Sequence, residues 1–371
     1  MSNFKSFISS LHTNLSGKNI SKKIVVFESD DWGAIRVPSK EAIDRLKIKG
    51  LDLTKNAYTR FDGLESNSDL ESLLEILDKH KDINGNHPII TANFVTCNPD
   101  FEKIKSSNFD QYFNQKISAT YNNYSNSDKV LDLVFSANSN GLFLPQFHGR
   151  EHVNVELWLS LLKNNDIFFR LAFEEGISGL GRESVSNLSR SIQATYDTYN
   201  TDFASKSLDE GLNYFEDIFG FRSDSFIPNN FVLDVKLLPF LFSKGVKVSQ
   251  GMKYFLAPIK PHKNNFKVFR KNGSLNQGNQ LELVRNCFFE PTETGRDFIS
   301  TLKEISLAFS LKQPAVISTH RLNFSSRISI ENRDRNLKYF DDLINSILKQ
   351  WPDAEFYSTL GLAKYYSGNF I

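Results

Sequence analysis

The 371-residue sequence predicts an α/β fold in which a parallel sheet or barrel is wrapped by helices, on three observations. Short apolar runs rich in β-branched and aromatic residues alternate with stretches of helical periodicity. Those runs are apolar throughout, as in strands buried on both faces. Three of them also end in clustered polar residues, as parallel strands do around an active site.

Strands are predicted at 24–27, 88–95, 142–147 and 314–318, each a short run too apolar to be half-exposed. Helices are predicted where apolar residues recur every three or four positions. One spans 298–309, with Phe298, Leu302, Ile305 and Phe309 on one face. A second carries Leu337, Phe340, Ile344 and Ile347 and ends before Trp351-Pro352, because proline cannot continue it. A third carries Leu212, Phe215 and Phe219. Residues 98–140, rich in Asn, Ser and Asp, and 178–207, rich in Ser, Thr and Asn, break this rhythm. They are expected to be insertions over one face of a single domain covering 1–371. No fixed-period repeat is present, which excludes a solenoid.

Composition narrows the function classes. The chain is 40% hydrophobic and 23% charged, as soluble globular proteins are. With 44 Lys and Arg against 43 Asp and Glu, its net charge of +1 gives no electrostatic case for nucleic acid or an anionic membrane as the main partner. No apolar stretch approaches the roughly 18 residues of a membrane span, and the N-terminus lacks the apolar core and cleavage site of a secretory signal. Two cysteines, Cys97 and Cys287, do not make a disulfide framework. A cytoplasmic, reduced environment is the expectation; the oligomeric state stays open.

The polar strand ends carry the chemistry. The first strand runs into Glu28, Asp30 and Asp31, and carboxylates so clustered repel one another unless a cation sits among them. The third runs into His148-Gly149-Arg150-Glu151-His152. Its two histidines stand four apart and are expected to share a face of the helix that buries Val155, Trp158, Leu159 and Leu162, so that both address one ion. Two His and one carboxylate make a hydrolytic metal site with positions open for water and substrate. Asp30 and Asp31, adjacent on an extended segment, are expected to diverge, one toward the metal and the other toward the attacking water. His320, at the last strand end, suits a general acid. His12, His80, His87 and His262 have no such company.

In combination and order, these motifs over residues 22–360 resemble the polysaccharide deacetylase superfamily, which includes chitin and peptidoglycan deacetylases and shares a distorted (β/α) barrel. The resemblance implies that Asp30 is the base, that Asp31, His148 and His152 hold a divalent metal, and that His320 is the acid. Zn²⁺ is the first expectation for the metal, with Co²⁺ or Mn²⁺ as alternatives. It implies a metal-dependent hydrolase that removes an acetyl or other N-acyl group from a sugar or polysaccharide. The alternatives are an O-acyl esterase or non-sugar amidase at the same site, or a glycan-binding protein without activity. Gly149 stands where the family prefers Ser or Thr, and Ser318 where it prefers Leu. The family's Arg-Pro-aromatic-Gly motif is only echoed by Phe226-Ile227-Pro228-Asn229-Asn230, leaving Arg222, Arg285 and Arg321 as candidates for the arginine. Glu290 is the candidate for the Asp that tunes the catalytic histidine. Trp32 offers a ring for sugar stacking or core packing, and the basic stretch 260–271 is read as a solvated loop.

Overall fold

The computed structural model describes residues 2–181, 185, 191–258, 266–293 and 296–368. Nine parallel strands form one sheet: β1 Lys23–Trp32, β2 Ile90–Phe94, β3 Phe143–Phe147, β4 Ser225–Phe226, β5 Val248–Gly251, β6 Leu281–Val284, β7 Cys287–Phe288, β8 Ala315–His320 and β9 Ala354–Phe356. Their order is β6-β5-β4-β3-β2-β1-β8-β7, with β9 paired to the N-terminal part of β1. The four predicted strands are β1, β2, β3 and β8. The predicted helices are Phe298–Ser310, Ile330–Gln350 and Thr201–Phe219.

The two outermost strands of that order, β6 and β7, are neighbours in sequence, with only Arg285 and Asn286 between them. Three peptide steps reach about 11 Å at most, so the sheet must curl until its edges nearly meet. Arg285 N–H donates to Gly251 O on β5 (2.9 Å), while the Asn286 side chain accepts from Val316 N–H on β8 (2.9 Å). The seam of the barrel is therefore bridged by these two residues.

Alternation along β1 sorts its side chains into outside and inside. Val25 and Phe27 join the large core beneath the surrounding helices. Ile24 and Val26 pack inward with Val248, Leu283 and Val316, and with Leu362 and Ala363 of the helix Thr359–Ser367, which plugs the bottom of the barrel. Two positions further on, the same inward face carries Glu28 and Asp30. The barrel is thus dry at its base and charged at its carboxyl rim.

Residues 98–140 hold a short antiparallel pair, Cys97–Pro99 with Asn114–Lys116, and the helices Phe101–Ser106, Ile117–Asn123 and Val130–Ser139. Part of 178–207, and residues 259–265 of the basic stretch with His262, lie outside the described residues. Cys97 and Cys287 are buried free thiols. Among the described residues no helix is long and apolar enough to cross a membrane.

One close approach is testable. Gly211 lies inside Thr201–Phe219 where a Cβ would stand 2.7 Å from the Phe147 ring of β3. Ala is the better helix former by about 1 kcal/mol, but overpacking costs about 1–3 kcal/mol. Gly211→Ala is therefore expected to lower the urea midpoint; an unchanged or higher midpoint would show that helix and strand separate freely.

Candidate active site

The Asp pair sits on a bulge. Ser29 pairs with Ala92 and Trp32 with Phe94, so three steps of β1 face two of β2. The extra residue is absorbed at Asp31, whose φ of 73° is left-handed. A regular strand would send the two carboxylates to opposite faces, as the sequence suggested. The bulge turns Asp31 back, and both line one cavity of about 440 Å³ at the carboxyl rim.

His148 and His152 also arrive by a route the sequence did not show. Neither is helical; the helix begins only at Val155. An irregular turn through Gly149, φ 103°, brings the rings together with centroids 5.4 Å apart. A Cβ there would meet Tyr196 Oη at 3.0 Å and Asn229 Oδ1 at 3.1 Å, which accounts for glycine where the family prefers Ser or Thr. His148 Nδ1–H donates to Ile227 O (2.9 Å), and that bond fixes Nε2 as the ring's free acceptor. Nε2 of His148 and His152 lie 3.4 and 3.0 Å from Asp31 Oδ1. One donor atom from each of Asp31, His148 and His152 lies within 4.8 Å of the others. Burial pushes the His152 pKa down and keeps that ring neutral, as a ligand must be. These donors fit a divalent cation of the zinc type.

Charge balance, however, does not require that cation. Asp31 Oδ2 accepts from Arg36 Nη2 (2.8 Å), and against the cost of burial Arg36 and then His152 hold its pKa well below the usual carboxylate range. Asp30 is gripped by Arg285, whose Nη1 and Nη2 each donate to one of its oxygens at 2.7 Å. The same guanidinium donates Nε–H to Glu28 (2.7 Å). Burial opposes ionisation of Asp30, but Arg285 outweighs it and the pKa falls to about 2. Asn93 donates a further bond to Asp30 Oδ1 (2.8 Å). One lone pair of Oδ2 is left, on the side of His320 Nε2, 3.8 Å away.

His320 is oriented from behind. Its Nδ1–H donates to Glu290 Oε1 (2.5 Å), and Asn323 holds the other Glu290 oxygen (2.7 Å). Tyr58 packs edge-on with centroids 5.1 Å apart. Burial alone would lower the His320 pKa; Glu290 first, then Asp31 and Asp30, raise it to about 9.

The structure therefore brings Asp30, Asp31, His148, His152, His320, Glu290 and Arg285 together. Ser318, where the family prefers Leu, accepts from Arg285 Nη1 (3.1 Å), so the small polar residue belongs with the displaced arginine. Arg222 does not reach the site; it bonds Lys244 O, Asn213 and Glu216. Arg321 is buried nearby on Asp62 and Glu65 without touching Asp30. Trp32 is a core residue, 1% exposed, edge-on to Phe143 with its N–H on Ser29, and offers no ring to a sugar. Arg36, Tyr58 and Asn93 went unnoticed in the sequence. Arg36, five positions after Asp31, gave a weak signal; the other two gave none.

No protein-family model and no curated protein matches the sequence. Among solved structures the chain is similar to a probable polysaccharide deacetylase from Pseudomonas aeruginosa, at 9% identity, with 94% of this chain and 92% of that one covered and a TM-score of 0.46. Puue allantoinase gives 9% identity, the same two coverages and a TM-score of 0.47. The 4-alpha-glucanotransferase from Thermococcus litoralis gives 10%, 95% and 41%, with a TM-score of 0.43. At such identities these likenesses concern the fold.

Arg285 and Arg222 are separable by stability. Arg285→Met leaves Glu28 and Asp30 buried without their cation, and is expected to cost about 3–5 kcal/mol of unfolding free energy. Arg222→Ala, at a partly exposed position, should cost about 1 kcal/mol or less. Equal losses in urea titrations would show that the Arg285 fork is not what holds the seam.

Proposed function

We propose that the chain acts as one catalytic unit, a metal-dependent hydrolase that removes an acetyl or other N-acyl group from a sugar or polysaccharide. The observation that carries this reading is the convergence, on one cavity, of a three-donor metal cradle with an ionised carboxylate and a cationic histidine, Asp30 Oδ2 and His320 Nε2 standing 3.8 Å apart. A glycan-binding module has no use for ligands, base and acid together.

Asp31, His148 and His152 would hold the cation, with Asp31 limited to Oδ1 because Arg36 occupies Oδ2. A bound divalent cation supplies water of lowered pKa and polarises the acyl carbonyl. The chain's own residues do the rest. Asp30, ionised at all working pH and locked by Arg285 and Asn93, presents its one open lone pair to the attacking water and takes its proton. The developing oxyanion can be met by backbone N–H groups following Phe226-Ile227-Pro228. His320, held cationic and aimed by Glu290, gives the Nε2 proton to the departing amine. The same arrangement serves an O-acyl ester or a non-sugar amide, and release of acetate from a panel of N- and O-acetylated substrates decides among them.

The metal is checked by elemental analysis after incubation with Zn²⁺, Co²⁺ or Mn²⁺. One equivalent is expected in wild type and in Asp30→Asn, and none in folded Asp31→Ala or His152→Ala. A wild type that stays empty would end the hydrolase reading in favour of the binding module. Asp30→Asn should lose about 10²–10⁴ in turnover, and a rate like wild type would remove the base assignment. The acid is read from pH. His320 acts protonated, so kcat/KM falls as pH rises through its pKa, and Glu290 keeps that pKa high. Glu290→Gln should move the alkaline limb to lower pH; an unmoved limb would assign it to another group.

A further inference from the structure

The acyl site does not end at its own cavity. A second cavity of about 520 Å³ shares Asn230, Phe231, Met252, Phe288 and Arg296 with the first. The two are compartments of one cleft with an apolar waist of Phe231, Met252 and Phe288. Phe231 holds φ 57° there, a conformation a bulky side chain rarely adopts. The cleft is far larger than an acetyl group needs, which leaves the far compartment room for another part of the substrate.

In the first cavity Asp30, Asp31 and Glu290 are matched by Arg285, Arg36 and His320. The second adds Lys253 and Lys267 to the shared Arg296, which pairs with Glu293 (3.5 Å), against the carboxyl of Glu304. Glu304 is already bonded by the Phe288 N–H (2.7 Å), and burial raises its pKa to about 7, which weakens it as a counter-charge. Lys253 and Lys267 flank the Tyr254 ring, at 5.5 and 5.6 Å from its centroid, on the hairpin Tyr254–Ala257 with Phe266–Phe269. Among the described residues neither lysine has a carboxylate within 4.0 Å; Lys253 Nζ donates to Ser9 O (3.2 Å) and Lys267 is exposed. Two lysines without a carboxylate partner in a concave wall, beside an aromatic face, suit an anion borne on a ring. With the whole chain near neutrality, this is a local feature and not general basicity.

We propose that the second cavity binds an anionic group, a phosphate or a carboxylate, on the same substrate whose acyl group meets Asp31, His148 and His152. The proposal rests on the hydrolase reading for its account of the first cavity, but the anion site is testable without it. The substrate would then be an acidic glycan unit or a sugar phosphate in place of a neutral chitin-like chain.

The experiment is calorimetric titration of the full chain with N-acetylglucosamine, N-acetylglucosamine 1-phosphate and a glucuronate-containing N-acetylglucosamine disaccharide. Each is run with and without bound zinc, on wild type and on Lys253→Gln/Lys267→Gln. At least one anionic probe is expected to bind wild type about tenfold or more tightly than the neutral sugar, with a preference that weakens as salt is raised. In the double variant the ratio should fall toward one. Whichever anionic probe binds better names the source of the charge. Equal affinities in wild type, or a preference that survives in the variant or vanishes when zinc is removed, would overturn the anion site. Metal uptake measured on the same samples judges the hydrolase reading separately: an empty metal site with an intact preference refutes that reading and leaves the anion site standing.

Discussion

The Arg285 guanidinium is the interaction on which the rest depends. It sits where the two edges of the sheet nearly meet, and from there it bridges Glu28 and Asp30, two consecutive inward positions of β1. All three groups are buried; Arg285 outweighs burial at Asp30, whereas at Glu28 burial prevails over Arg285 and raises the pKa. One planar fork thereby ties the seam to the central strand, keeps Asp30 ionised, and points its remaining lone pair into the cavity. A lysine would bring the charge without the two-pronged geometry.

The same economy recurs around the rim, where the acidic groups meet cations that several of them share. Asp31 has Arg36, Glu290 has His320, and Arg36 and Arg321 share Asp62. The carboxylates of the first strand are therefore tolerable even before a metal is considered. The case for a metal rests instead on geometry: one oxygen of Asp31 faces two imidazole nitrogens, and the one set by a backbone carbonyl has no freedom to turn away.

Legible in the chain alone were the strands that end in clustered polar residues, and those residues themselves. Short, continuous apolar runs rich in β-branched and aromatic residues read as buried strands, and polar residues directly after them fall on the rim of a parallel sheet. That logic reached Asp30, Asp31, His148, His152 and His320, and the motif resemblance added Glu290. The helices at Phe298–Ser310 and Ile330–Gln350 were legible from periodicity alone, because burial of one face dictates it.

How those residues meet was set by contacts between elements distant in the chain. The bulge at Asp31 and the left-handed turn at Gly149 are single-residue departures from regular backbone, and periodicity carries no trace of them. Arg285 could not be chosen over Arg222 and Arg321 because its partners lie more than 250 positions away. Trp32, next to the carboxylates in sequence, faces the core because alternation on a bulged strand cannot be counted without its partner strand. Local sequence fixes which chemistry is available; strand pairing, set by contacts across the whole chain, fixes where each group points.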